Sequence, residues 1–394
     1  MTKILLRSTM ALILSLIVTG TAAIAQSLPA PTHIVILWEE NYAYSQIIGS
    51  ASAPHINALA AMPNAAVFTN FLATDHPSQP NYLEFFSGAN QGVTTDDLPV
   101  GYPFTTPNLC AELLAVHKTY TAYCEDLPAV GSDVETYTTG SANYWRKHNP
   151  CTNWVGTGTN QFAATVNQPY TNFPTNYATL PTVSYVVPNC TNDMHDYTTW
   201  CSSVPCPESI QLGDTWMYNN LDSLRKWSID NNTLYIVIYD EDDDFHGNVI
   251  PVIFYGPMVK TGTYSENINF YNLLRTIEDM YGTGHAGAAA TATDITDCWQ
   301  KVSSVNNVAS AKYDFKVMPN PASNYITFNC NSATNPNFTI IVTDETGRKS
   351  GTYTMNSAEV QVNTTTYAPG LYFYSIQDEN NRIVSKGKFV VSHN

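Results

Sequence analysis

Residues 234–244 read LYIVIYDEDDD, six hydrophobic positions without a break, followed at once by five carboxylates. A run this short, rich in β-branched and aromatic residues, reads as a strand buried on both faces. Three more runs have the same texture: HIVILW at 33–38, VSYVV at 183–187 and IPVIFY at 250–255. Strands buried on both faces belong in a parallel sheet. The segments between them, among them residues 54–61 and FYNLLRTIEDMY at 270–281, read as helices. The fold class expected is therefore α/β, a sheet with helices on both faces.

In such a sheet ligands bind beyond the carboxyl ends of the strands. Glu39, Glu40 and Asn41 follow the first run. Asn192, Asp193, His195 and Asp196 follow the second, and Asp240, Glu241 and His246 follow the third. Carboxylates gathered at one sheet edge repel one another, and a bound divalent cation is the simplest way to neutralise them. Glu40, Asp240 and Glu241 are the candidates closest to their strands. Asp242, Asp243 and Asp244 read as a solvated acidic turn. Glu39, next to Glu40 on a strand, points elsewhere. His33, His55 and His117 read as structural or surface residues, the last two on helices, and His285 has no evident partner. Asp214 reads as a cap for a helix.

HPSQPNYLEFFSG, residues 76–88, holds one serine between two prolines and runs on into an apolar helix. Proline limits loop motion, so Ser78 is held near a helix N-terminus, where free N–H groups and the helix dipole favour an anion. A metal bound to a serine oxygen makes an alkoxide accessible. Serine, helix end and carboxylates together describe phosphoryl or sulfuryl transfer.

These stretches resemble the bacterial phosphoesterase family of acid phosphatases and phospholipases C, within the alkaline phosphatase superfamily. ILWEENYAY resembles its opening E-N motif and HPSQPNY its H-P-S-x-P-N-Y block. PNCTNDMHD, YDEDDDFHGNVIPVIFYGP and LLRTIEDMYG resemble its later segments, over residues 33–299. The resemblance implies an alkaline-phosphatase-like sheet. It implies Ser78 as nucleophile, activated by a metal on Glu40, Asn41, Asp240 and Glu241. Asn81 becomes a donor to a phosphoryl oxygen and His76 a phosphate contact. Asp193, His195 and His246 lie opposite, holding a second metal or protonating the leaving group. Relatives carry a His just before the closing helix; Phe270 stands there, which favours a single metal. Oxygen ligands admit Ca, Mg or Mn, and the histidines admit Zn. The expected activity is a secreted, metal-dependent acid phosphatase hydrolysing phosphate monoesters through a phosphoserine. The alternatives are a phospholipase C-like phosphodiesterase and a non-catalytic surface binding protein.

The remaining features concern export. Lys3 and Arg7 precede an apolar run, and Ala23-Ile24-Ala25 fits a cleavage site, so residues 1–25 read as a signal peptide. No later stretch is long and apolar enough to be a transmembrane segment. Residues 26–300 form the catalytic domain, 301–312 a linker, and 313–394 alternating strands of a small all-β sandwich. In that last part PNPA at 319–322, Asp344-x-x-Gly347-Arg348, Gly370-x-Tyr372 and Lys386-Gly-Lys388 resemble the sorting domain of type IX secretion. The implied partners are a phosphate ester and the secretion machinery, and the implied location is secreted or cell-surface attached. A net charge of −16 repels phosphate backbones and speaks against nucleic acid. Eight cysteines in an exported chain suggest disulfides, Cys201 with Cys206 the readable pair.

Overall fold

The three runs that end in carboxylates lie side by side in the middle of one mixed sheet. In chain order its first unit contains β1 (His33–Glu39), β2 (Ala65–Leu72), β3 (Tyr120–Cys124), β4 (Thr136–Thr139), β5 (Ala142–Trp145), β6 (Asn167–Pro169), β7 (Val183–Val187), β8 (Thr233–Tyr239), β9 (Val249–Tyr255), β10 (Gly262–Tyr264) and β11 (Ile268–Asn269). The order across the sheet is β10-β2-β9-β8-β1-β7-β3-β6, with β11 also on β2, while β4 and β5 form a separate hairpin. The computed structural model describes residues 28–195, 206–300, 313–331, 337–378 and 383–393. The expected signal peptide and linker, and Asp196 and Cys201, lie outside the described residues.

β1 pairs in parallel with β7 on one side and β8 on the other, with Glu39 level with Tyr239. All residues of β1, β7 and β8 are buried. Parallel neighbours end at the same edge, so the residues after β1 and β8 emerge together. One expectation needs correction. β9 is antiparallel to both β8 and β2, because the connection from β8 is too short for a crossover and has to turn straight back. Burial alone could not reveal its direction.

Among the described residues six helices cover the sheet: α1 (Tyr44–Ile47), α2 (Pro54–Ala60), α3 (Ser78–Ser87), α4 (Leu109–Ala115), α5 (Pro207–Ser228) and α6 (Phe270–Tyr281). On one face the Trp38 indole packs against Tyr82 and Phe85 of α3, Tyr185 of β7 and Phe270 of α6, at centroid distances of 5.0–5.6 Å. Phe270 is thus a core residue. Its ring also lies 5.8 Å from that of Phe71. On the other face Asp214 of α5 caps α2, accepting from the amides of His55 (3.1 Å) and Ile56 (2.8 Å). All ten residues of α3 are buried. The helix stops at Gly88, whose φ is +69° and where a Cβ would meet the Ala286 carbonyl oxygen at 2.1 Å. Only glycine fits that turn.

Residues 130–180 are mostly loops and 3-10 turns, with the β4–β5 hairpin and the edge strand β6. Among the histidines, His117 lies just past α4 at φ +59°, not on a helix. His285 does have a partner, Asp279, at 2.8 Å. The cysteines also depart from expectation. Cys206 is disulfide-bonded, but Cys110, Cys124, Cys151 and Cys298 are buried free thiols. Burial pushes the Cys151 thiol up to about 12, so it packs as a small apolar group. Among the described residues no helix is long and apolar enough to cross a membrane.

The chain divides into two compact units between Lys301 and Val302. The second is a sandwich of two antiparallel sheets. One contains β12 (Asp314–Met318), β13 (Tyr325–Asn331) and β16 (Glu359–Asn363), in the order β12-β13-β16. The other contains β14 (Phe338–Asp344), β15 (Lys349–Met355), β17 (Gly370–Gln377) and β18 (Ile383–Val391), in the order β15-β14-β17-β18. Its core holds Ile326, Phe328, Ile340, Val342, Ile376 and Phe389. The motif residues are structural. Asp344 Oδ1 accepts from the amides of Thr346 and Arg348, both at 3.1 Å, and Oδ2 accepts from Arg348 Nε at 2.9 Å. The Thr346 hydroxyl, which donates to Oδ1 at 2.6 Å, and then the Arg348 guanidinium hold its carboxyl down to about 2. Gly347 supplies the positive φ of the turn. Asn320 Oδ1 accepts from the Val390 amide at 2.9 Å, and Ala322 exchanges backbone bonds with Val390 and Ser392.

Candidate active site

Five residues expected around one ion converge where β1 and β8 end. Ser78, 2% exposed, opens α3. Its hydroxyl donates to Glu241 Oε1 at 2.8 Å and lies 3.2 Å from Glu40 Oε2. Glu40 also accepts from the Tyr82 hydroxyl, one helical turn beyond Ser78. Asn41 adopts φ +35°, a conformation asparagine tolerates better than most residues. There its amide N–H donates to Asp240 Oδ1 at 3.0 Å and its Nδ2 to Glu241 Oε1 at 3.0 Å. Asp240 Oδ1 accepts a second bond, 2.7 Å, from the Glu241 amide.

This concentration of acid is costly without a counterion. Burial, then Glu40 and Glu241, pushes the Asp240 carboxyl well up. Burial likewise raises Glu241 to about 7, against the bonds from Ser78 and His76. Asp240 Oδ2 and Asn41 Oδ1 are buried without a hydrogen-bond partner. Carboxylate, amide and hydroxyl oxygens with two orphaned acceptors fit a hard divalent cation.

The other expected residues divide. His76 is in the site, its Nδ1 on Glu241 Oε2. Asp193 is 1% exposed, and its carbonyl receives the Glu40 amide at 2.8 Å. Its carboxylate Oδ1 accepts from the His195 amide at 3.1 Å. His246 is elsewhere. Its ring contacts Asp243 at 2.5 Å on the exposed side of the loop, and with Asp242 and Asp243 it forms a separate group of possible ligands. Asn81 also differs from expectation. Both hydrogens of its Nδ2 go to backbone carbonyls, of Asp75 (2.9 Å) and Pro77 (3.3 Å), and its Oδ1 accepts from the amides of Thr74 and Asp75. It braces the serine loop and has no donor left for a phosphoryl oxygen. The helix end itself is partly filled, since the Gln79 amide donates to Asp96 Oδ1 at 3.0 Å and Pro80 has no N–H. Asp242 is 1% exposed, not solvated, and accepts from the amides of Asp244, His246 and Asn248.

Sequence reasoning missed His148. It is 1% exposed, and its Nε2 lies 3.1 Å from Glu40 Oε1 while its Nδ1 lies 3.8 Å from Asp193 Oδ2. It thus ties the end of β1 to the segment after β7. Ligand atoms of His148, Cys190 and Asp193 all fall within 4.8 Å of one another. The one signal was Arg146-Lys147-His148, three consecutive basic residues in a chain with only 17 Lys and Arg in 394. On β1 itself, Glu39 is fully buried with neither oxygen partnered, and burial with Asp193 and Asp214 pushes it well up.

A buried serine bonded to carboxylates at the carboxyl edge of an α/β sheet is an arrangement that suits a hydrolase. The chain belongs to the phosphoesterase family, whose model matches residues 54–284. It is a hydrolase of phosphate ester bonds. A Mycobacterium tuberculosis protein named phosphatidylinositol-3-phosphatase is 43% identical, over 70% of this chain and 85% of that protein. A phosphate-repressible acid phosphatase of Penicillium chrysogenum is 27% identical, over 45% of this chain and 42% of that one. A solved Vibrio parahaemolyticus protein of the alkaline phosphatase superfamily aligns at a TM-score of 0.49 and 14% identity, over 92% of this chain and 83% of that chain. Residues 316–392 match the secretion system C-terminal sorting domain, the type IX address for export and surface attachment.

Proposed function

We propose that this exported phosphoesterase is a metal-dependent phosphatase that hydrolyses phosphate monoesters through a phosphoserine at Ser78. The observation that carries the reading is the Ser78 hydroxyl, 2.8 Å from Glu241 and 3.2 Å from Glu40, beside the orphaned Asp240 Oδ2. Glu40, Asn41, Asp240 and Glu241 would hold the ion, whose positive charge would offset theirs and lower the pKa of the serine hydroxyl. The names of the relatives, a phosphatidylinositol-3-phosphatase and acid phosphatases, support the choice of substrate.

Ser78 Oγ attacks phosphorus as its proton passes to Glu241, the carboxylate it already faces. The bond from phosphorus to the ester oxygen breaks, and the departing alcohol takes a proton from His195. Water then attacks the phosphoserine, giving a proton back to His195, and Ser78 recovers its own from Glu241. His76 holds the Glu241 carboxylate in place throughout. Two in-line displacements give net retention at phosphorus.

The test is hydrolysis of 4-nitrophenyl phosphate by the whole protein beside Ser78→Ala. Turnover drops by about 10^4-fold or more in the variant, at an unchanged Tm. Rapid quenching of the unsubstituted protein traps phosphate on Ser78. Comparable rates in both proteins would remove the serine from the mechanism.

A further inference from the structure

Beside Ser78 the first unit contains a cavity of about 280 Å3 that the proposed chemistry leaves unused. Its wall includes Gln79, next to the nucleophile, and Lys147, next to the His148 that reaches Glu40. Gln79 fixes the opposite rim, its Nε2 donating to the carbonyls of Thr95 (2.9 Å) and Asp97 (2.6 Å). Asp96 of the same wall accepts from the Gln79 amide at 3.0 Å, which sets the cavity at the end of α3 that carries Ser78, and the alcohol half of an ester there would project toward it.

The lining does not suit a second anion. Three carboxylates, Asp96, Asp97 and Glu135, face two cations, Arg146 and Lys147, an excess of one negative charge. Both cations are already paired, Lys147 with Asp96 and Arg146 with Asp133, each at 2.9 Å. It does not suit a lipid tail either, since only Leu98 and Trp145 offer apolar surface.

What the lining offers is hydrogen-bond acceptors beside a flat ring. Asp97 and Glu135 are exposed carboxylates that accept from hydroxyls. Arg146 is 2% exposed, and its Nη2 is buried with no hydrogen-bond partner. With its Nε on Asp133 at 2.9 Å and its Nη1 on Asn153 at 2.7 Å, the guanidinium stiffens the wall rather than reaching a ligand. Trp145 is 39% exposed, with Lys147 Nζ over its ring at 5.5 Å. Exposed acceptors beside an indole face match a ring carrying several hydroxyls. The volume is near the lower end for ligand pockets, about 300 Å3, and takes one such ring.

We infer that this cavity is a leaving-group subsite for a hydroxylated ring, so that the substrates are phosphate monoesters of a sugar or a cyclitol. The inference rests on the phosphomonoesterase reading for its orientation. It is tested by binding, which is independent of turnover. Calorimetry on the Ser78→Ala protein compares glucose 6-phosphate with ethyl phosphate, whose alcohol has neither ring nor free hydroxyl. The sugar phosphate binds about tenfold tighter or better, and Trp145→Ala or Glu135→Gln in that background reduces the preference to about threefold or less. Both side chains are exposed, so the variants fold. Equal affinities in the Ser78→Ala protein, or a preference that survives both substitutions, would overturn the subsite. Hydrolysis of 4-nitrophenyl phosphate by the unsubstituted protein reads the phosphatase proposal separately. Phosphatidylcholine vesicles with and without phosphatidylinositol 3-phosphate, added as competitors, identify the carrier of the ring. Displacement of glucose 6-phosphate by the doped vesicles alone assigns it to a lipid headgroup, and no displacement assigns it to soluble sugar phosphates.

Discussion

Asn81 and Asn41 carry the same amide and were expected at the same centre, yet only Asn41 presents it there. The difference is local. Asn41 sits at positive φ just past a strand and turns its Nδ2 to Glu241. Asn81 sits in the first turn of α3, where the loop before it leaves unpaired amides and carbonyls within reach. Sequence shows that a polar residue lies near a site, and the backbone around it decides which way its donors face. Glu40, Asp240 and Glu241 were legible because strand ends fix where the next residues go. His148 was not, because it arrives on a 3-10 turn in a loop region with no periodicity. The proton donor gives the prediction at this scale. Ethoxide is a far poorer leaving group than 4-nitrophenolate, so it depends on the acid. In His195→Asn, kcat for ethyl phosphate falls about 100-fold and kcat for 4-nitrophenyl phosphate by less than about tenfold. Equal losses would exclude His195 as the acid.

Among the elements, α6 was legible to the residue and β9 only in part. The closing helix has Asn269 at its N-cap and Gly282 in the left-handed region beyond its end, stop signals that sequence carries openly. The direction of β9 depends on the length of one connection, and a buried strand looks alike either way round. α6 also carries a pH dependence. Glu278 is fully buried and accepts the Ala286 amide at 2.8 Å. Burial raises its carboxyl from the ordinary 4.5 to about 8. The folded chain therefore holds this proton more tightly than the unfolded chain does. The contribution to stability is complete below pH 4.5 and is lost as pH rises through 8. Tm measured across that window falls with rising pH, and Glu278→Gln, neutral at every pH, makes the fall shallower. An unchanged slope would show that Glu278 does not hold its proton.

For the whole molecule, the division into a catalytic unit and a sandwich was plain from texture alone, since buried runs between helices give way to alternating strands. Of the expected disulfides, that of Cys206 was legible from its short loop and the rest were not, because a cysteine count cannot distinguish a thiol packed in a core from one facing a partner. The catalytic unit concentrates buried acid at one sheet edge, so its stability is linked to cations. A divalent ion at about 100 times its Kd adds about 2.7 kcal/mol, a rise in Tm of about 5 °C for a domain of this size. The ions to compare are Ca, Mg, Mn and Zn, added to chelator-treated protein. The rise is larger at pH 8 than at pH 5, where protons compete for the raised carboxyls of Asp240 and Glu241. No rise with any of the four would exclude the ion. The sandwich has a different kind of linkage. Its PNPA stretch is bonded to Val390 and Ser392, at the far end of the domain's last strand. The postal code is written across both flaps of the envelope. The stretch is held only once the final strand has been made and closed against it, so an unfinished chain would present an incomplete address.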